Sequence, residues 1–341
     1  MAEPTVPEPE PTPQDPVDAG PVRPAGVRGR PSRAELEAKA QQRVADIEAQ
    51  VRATRAQLDA ANARVEARVG RNLPLAIFFG LALGGGFLLS LVLFKELFIV
   101  FGAALVGFTA FELATALRSA GRDIPRLVSV AAAVAVTPIA FFGHVPGLWL
   151  ATLGAIVLVS LWRILETLPA SRRVPRRELA LDLGTGALIQ VYVTFMAGFY
   201  LVLTGEEGGQ WWTLGAIIVI VSTDVGAYVS GLAFGRRKLA PAISPGKTVE
   251  GFIGSILIAT VAAILIATLM LEQPWWLGLI LGPALALVGT MGDLMESLIK
   301  RDLGVKDISS WLPGHGGFLD RLDSVLPSAA VAYALYLIFH G

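Results

Sequence analysis

The sequence predicts an all-α polytopic membrane protein, with about nine transmembrane helices in one bundle behind a disordered and then helical N-terminal extension. Three observations lead there. The 341-residue chain is 54% hydrophobic and only 16% charged. Its mean hydropathy is +0.60. From residue 73 onward, apolar runs of about twenty residues, long enough to cross a bilayer, recur to the end of the chain. Length alone would allow more than one domain, but helices of this kind form a single bundle.

Composition also excludes. Basic and acidic residues number 28 each, so the formal net charge is zero and no global field invites nucleic acid. There is no cysteine, which removes disulfides, thiolate metal sites and cysteine nucleophiles. The start of the chain has neither a basic n-region nor an apolar h-region. No cleavable signal is expected, and the first apolar span is expected to stay as a membrane helix.

Residues 1–33 are rich in Pro, Glu, Ala and Gly. Pro4, Pro7, Pro9, Pro11, Pro13 and Pro16 forbid a continuous helix, and there is too little apolar surface for a core, so a disordered spacer is expected. Residues 34–71 hold no proline and are rich in Ala, Glu, Arg and Gln. Val44, Ile47, Val51, Leu58 and Val65 form a heptad-like stripe, which predicts a cytoplasmic helix, either solvated or a short coiled coil. Residues 72–341 form the membrane domain.

The spans fall near 73–94, 97–118, 124–142, 147–167, 179–203, 211–234, 248–271, 275–291 and 324–340. Basic residues test this division. They cluster at Arg64, Arg68 and Arg71, at Arg118, Arg122 and Arg126, at Arg172, Arg173, Arg176 and Arg177, at Arg236, Arg237, Lys238 and Lys247, and at Lys300, Arg301 and Lys306. The intervening connections at 143–147, 205–210 and 272–274 carry none, and Lys95 in a short turn is the exception. By the positive-inside rule the N-terminus and the large polar loops face the cytoplasm, and the C-terminus lies outside. Trp211, Trp212, Trp275 and Trp276 read as interfacial belt anchors. Gly84, Gly85 and Gly86 read as a site of close helix packing. His144 and His340 read as interfacial residues, not ligands.

Charge is concentrated in residues 292–324, between two apolar runs. Acids (Asp293, Glu296, Asp302, Asp307, Asp320, Asp323), bases (Lys300, Arg301, Lys306, Arg321) and His315 gather there. Ionisable groups at a membrane boundary are costly, which points to function. Asp293 ends one apolar helix. Asp320 and Asp323 begin the next, three residues apart and so on one face. Carboxylates brought together in this way need a cation among them. Mg²⁺ prefers oxygen ligands and shares carboxylates with substrate phosphates. Gly314, Gly316 and Gly317 around His315 let the backbone approach a ligand. Acids for a metal beside bases for phosphate suit phosphoryl or nucleotidyl transfer.

Two further segments support this. Asp224 lies in an apolar run with Ser222, Thr223 and Tyr228, where an unpaired carboxylate costs about 2.5–3.5 kcal/mol. It is expected to face the bundle interior and a cation; the alternative is a packing Asp bonded to Ser or Thr. Residues 244–251, Ser-Pro-Gly-Lys-Thr-Val-Glu-Gly, open a helix after a turn and include Ser244, Lys247, Thr248 and Glu250. Free N–H groups with Ser, Lys and Thr make a phosphate cradle; the alternative is an N-cap with a snorkelling Lys247. A P-loop reading fails, because position 241 is Pro241 where a glycine is required and no preceding strand is expected.

The pattern Ser297-Leu-Ile-Lys300-Arg301, then Lys306-Asp307, then 312–323 as Leu-Pro-Gly-His-Gly-Gly-Phe-Leu-Asp-Arg-Leu-Asp resembles the signature of the phosphatidate cytidylyltransferase (CDP-diacylglycerol synthase) family. The two other polar segments are similar to that family in the same order, and the likeness covers roughly residues 75–341. The resemblance implies an enzyme of phospholipid biosynthesis that condenses CTP with phosphatidic acid, giving CDP-diacylglycerol and pyrophosphate, with Mg²⁺ as cofactor and a second cation allowed for. It implies that Asp293 and Asp320, with Asp323 and Asp224 close behind, match the metal-coordinating aspartates. Lys247, Lys300, Arg301, Lys306 and Arg321 are candidates for phosphate oxygens. His315 either orients a phosphate or stabilises its loop. The resemblance further implies a homodimer in the inner membrane. Another CTP-using lipid transferase, a polyprenol kinase, and a multi-span transporter are the rival readings; no convincing internal repeat supports the last.

Overall fold

The structure, a computed structural model, describes residues 73–169, 174–305, 308–309, 311 and 316–339. The expected disordered tail and the helix at 34–71 lie outside the described residues, as do Lys306, Asp307, Gly314, His315 and His340. Every described residue belongs to one compact unit, Asn62–Gly341.

Helix dominates because a chain in hydrocarbon must satisfy its own backbone N–H and C=O groups. In order these are α1 (Leu73–Val92), α2 (Leu97–Ser119), α3 (Arg126–Glu166), α4 (Arg176–Gly205), α5 (Gly209–Phe234), α6 (Val249–Leu269), α7 (Gly278–Leu303), α8 (Leu319–Leu322) and α9 (Val325–Phe339). A single 3-10 turn, Trp275–Leu277, leads into α7. Residues Gln190–Phe195 of α4 form a π-helical turn. Two short strands, β1 (Lys238–Ala240) and β2 (Ser244–Thr248), form an antiparallel hairpin between α5 and α6. This hairpin is a departure from the all-helical expectation.

Among the described residues, seven helices are long and apolar enough to cross a membrane. Two features separate that number from the nine expected spans. The apolar part described for α1, Phe78–Val92, is shorter than the others. And α3, at 41 residues, contains two expected spans in one assignment, broken at His144 (φ 51°, ψ −151°). In a continuous helix, residues eight apart stand about 12 Å apart along the axis. Here a Cβ on Gly147 would lie 2.7 Å from the carbonyl oxygen of Ile139, so the chain doubles back. His144 holds this turn, with Nδ1 3.0 Å from Glu206 Oε1.

The core is aliphatic and aromatic, built around residues such as Leu148, Leu201, Leu203, Val219, Leu281 and Leu285. α5 packs along α6, and α6 along α7, through small residues. A Cβ on Gly226 would stand 3.1 Å from Ser255 Cα, so those two backbones touch. One buried charge is paired: Arg163, 4% exposed, meets Asp182 at 2.8 Å and Asp123 at 2.9 Å, which ties α3 to α4 and to the loop before α3.

Two readings change. Trp211, Trp275 and Trp276 are exposed, as belt residues should be, but Trp212 is buried and meets Tyr336 edge-on at 5.7 Å. Trp211 and Trp212 are one residue apart, so on a helix they cannot face the same surroundings. Of the glycine cluster, only Gly86 packs closely, against Phe101. Around Gly84 and Gly85 a Cβ would meet nothing within 4 Å.

Candidate active site

The second half of α5, the β-hairpin, the start of α6, the second half of α7 and α8 converge at one end of the bundle. They enclose a cavity of about 530 Å³. α5 contributes Asp224 and Tyr228, β2 contributes Lys247 and Thr248, and α7 contributes Asp293. Asp320, Arg321 and Asp323 complete the wall. Residues that lie a hundred positions apart in the chain thus share one chamber, as their chemistry suggested.

Local structure explains how each is held. β2 ends at Thr248, whose hydroxyl accepts the N–H of Gly251 and caps α6. Lys247 therefore leaves a strand end, not a helical turn. No strand was expected before the Gly-Lys-Thr run; β1 precedes it and β2 contains it, and the P-loop reading fails on Pro241 alone. The Lys247 ammonium meets Asp293 Oδ2 at 2.6 Å. Asp320 is held from both sides: Oδ1 meets the Lys300 ammonium at 2.9 Å, and Oδ2 accepts the Gly317 N–H at 2.7 Å. Asp323 Oδ1 accepts the N–H of Ser324 at 2.7 Å, so its carboxylate is turned back against the start of the last helix.

The remaining candidates stand behind or beside the cavity. Lys300 does not line it; it is clamped between Asp320 and buried Glu296, at 2.8 Å from the latter. Glu250 is outside the lining, and its carboxylate accepts the N–H groups of Arg236 at 3.0 Å and Arg237 at 3.1 Å. It fastens the turn that leaves α5. Arg301 bonds through Nε to the Ile243 carbonyl and so braces the β-hairpin against α7. Ser244 begins β2 without lining the cavity.

Sequence reasoning passed over Glu112. This α2 residue is 1% exposed. Its Oε2 accepts the Leu319 N–H at 2.8 Å, and its Oε1 accepts the Ser309 hydroxyl. Gly317 lies so close to that carboxylate that no side chain fits between. Glu112 thus anchors the loop that delivers Asp320. The signal existed: it is a lone acid within an apolar run, the same feature that singled out Asp224.

Four carboxylates, those of Asp224, Asp293, Asp320 and Asp323, line the cavity, a set that suits a hard divalent cation. Among the described residues, however, no three acids or histidines gather tightly enough to cage a metal. That arrangement fits a cation that keeps water and takes further ligands from substrate phosphates. It does not fit one held by protein alone. With Lys247 seated on Asp293, the cavity also has a group able to exchange a carboxylate partner for a phosphate oxygen.

A phosphatidate cytidylyltransferase of Mycobacterium leprae (strain TN) is 37% identical over 277 residues, which is 79% of this chain and 88% of that protein. One from Mycobacterium bovis is 35% identical over 275 residues, 78% and 89% of the two chains. One from Bacillus subtilis (strain 168) is 40% identical over 160 residues, 46% and 60%. The profile of the Cytidylyltransferase family matches residues 75–339, from the first turn of α1 to the last residue of α9. Since that match takes in the helix bundle and every wall of its polar cavity, the chain belongs to the cytidylyltransferase family.

Proposed function

We propose that this protein transfers CMP from CTP to phosphatidic acid, giving CDP-diacylglycerol and pyrophosphate for phospholipid biosynthesis. One observation carries the proposal: Asp293, Asp320 and Asp323 line a single cavity with Lys247 and Arg321, although three separate segments supply them. The names of the relatives supply the substrates.

In this reading a phosphate oxygen of phosphatidate attacks the α-phosphorus of CTP. An oxygen–phosphorus bond forms there, the bond to the β-phosphate's bridging oxygen breaks, and pyrophosphate departs with that electron pair. The attacking group is already an anion, so no strong base and no covalent enzyme intermediate are needed. The residues must hold two polyanions in line. Lys247 moves from Asp293 to a nucleotide phosphate oxygen. Arg321 takes the lipid phosphate. Lys300 keeps Asp320 aimed at the cavity. Asp293 and Asp323, with Asp320, would share Mg²⁺ with the substrate phosphates. That ion, when bound, draws phosphate charge together and stabilises the leaving pyrophosphate. Lys306 and His315 remain candidates from the sequence for phosphate contacts.

Purified protein in detergent should release pyrophosphate from CTP only when phosphatidic acid and Mg²⁺ are both present. Release without lipid, or none with any CTP–lipid pair, would refute the proposal. The proposal extends to a multi-pass inner-membrane enzyme with the cavity facing the cytoplasm, supported by the alternation of basic connections. Since the chain has no cysteine, an Arg236→Cys variant offers a clean probe. An impermeant thiol reagent should label it in inverted vesicles and not in intact cells; the opposite pattern would reverse the orientation. A homodimer belongs to the same proposal, and a monomer mass in detergent would count against it.

A further inference from the structure

Beside the polar cavity lies a second chamber of about 390 Å³. Gly84 of α1, Phe101 and Leu105 of α2, Leu201 of α4, Ile217 of α5 and Leu322 line it. Its surroundings leave nothing for a polar ligand. Tyr200, on its wall, spends its hydroxyl on Ser328 at 2.8 Å, and Thr213 spends its own on Thr204 at 3.0 Å. Among the described lining residues, one alone carries charge. That residue is Arg321, which also lines the polar cavity. The two chambers therefore meet at Arg321, with hydrocarbon on one side and carboxylates and lysine on the other.

A ligand that fits this junction has an anionic head joined to an apolar tail. From this continuity we infer that the apolar chamber is an acyl-chain subsite: one fatty chain of the lipid substrate lies along α1, α2 and α5 while its phosphate engages Arg321. The inference rests on the proposed lipid substrate and adds where its tail is read. Gly84 then has a purpose that close packing does not supply. A Cβ at Gly84 would meet nothing within 4 Å, and the residue lines the chamber, so a side chain there would occupy the space meant for the tail. Gly85 has the same open surroundings but does not line the chamber. The two neighbours form a matched pair.

The test compares Gly84→Leu with Gly85→Leu in the full-length protein, by pyrophosphate release with CTP and Mg²⁺ on dioleoyl and on dihexanoyl phosphatidate. Gly84→Leu should lower kcat/KM for the dioleoyl substrate by about tenfold, the scale of losing two buried methylenes. It should leave the dihexanoyl substrate and the KM for CTP unchanged. Gly85→Leu should change none of these. Should Gly84→Leu not fold, Ile217→Phe narrows the chamber from α5 and should give the same selectivity. An equal loss on both lipids, or no loss on the dioleoyl substrate, overturns the subsite while the proposed function stands. A wild-type protein inactive on both lipids overturns the proposed function and the subsite with it.

Discussion

Replacing Asp293 by asparagine should cost about 100- to 1,000-fold in kcat, the range seen when a preorganised electrostatic group is removed from a reaction centre. The variant should fold. Asparagine has nearly the same shape, and Asp293 is a partly exposed residue whose main contact is the Lys247 ammonium at 2.6 Å. Loss of that charge does two things. It removes an oxygen donor for a divalent ion, and it leaves Lys247 without its partner before substrate binds. The KM for CTP should therefore change less than kcat, because a lysine already free of Asp293 can still meet the nucleotide. A thermal scan in detergent and steady-state kinetics check the two halves. Near-wild-type turnover in a folded Asp293→Asn protein would remove this residue from the chemistry.

Lys300→Met should damage stability more than any other single change at the site. The ammonium sits between Glu296 and Asp320, whose side chains are 2% and 8% exposed. Without it, two buried carboxylates face each other with no cation between them. Breaking a buried charge pair by removing one partner costs about 3–5 kcal/mol. The expected result is a large drop in the midpoint of thermal unfolding together with loss of activity. Adding Glu296→Gln removes one of the two stranded charges and should recover much of the stability. It should not recover activity, because Asp320 would still lack the contact that aims it. A double variant as unstable as Lys300→Met alone would contradict this account of the clamp.

The sequence revealed most where physics leaves few choices. Hydrocarbon allows little except helix, so apolar runs of sufficient length mark the spans almost by themselves. Acids such as Asp224 within one of those runs and Asp293 at the end of another were visible because their burial is costly. What stayed hidden depends on pairing in space. Glu112 carries the same signal as Asp224, but its partners, Ser309 and Leu319, lie some two hundred residues away. Lys300 reads as a phosphate ligand until Glu296 and Asp320 are seen on either side of it. Glu250 and Arg301 read as ligands too, and the backbone groups they hold cannot be inferred from composition. Trp212 and Gly84 depend on which face of a helix meets a neighbour. A chain with almost uniformly apolar helices does not record that, since lipid and protein interior are equally greasy.

CTP radiolabelled at the α-phosphate, incubated with phosphatidic acid, Mg²⁺ and purified protein, tests the central claim most directly. The label should pass into the lipid fraction, and the Asp293→Asn protein should not move it. Label that stays in the aqueous phase while a γ-phosphate label enters the lipid would show phosphoryl rather than cytidylyl transfer, and would contradict the assignment of this cavity.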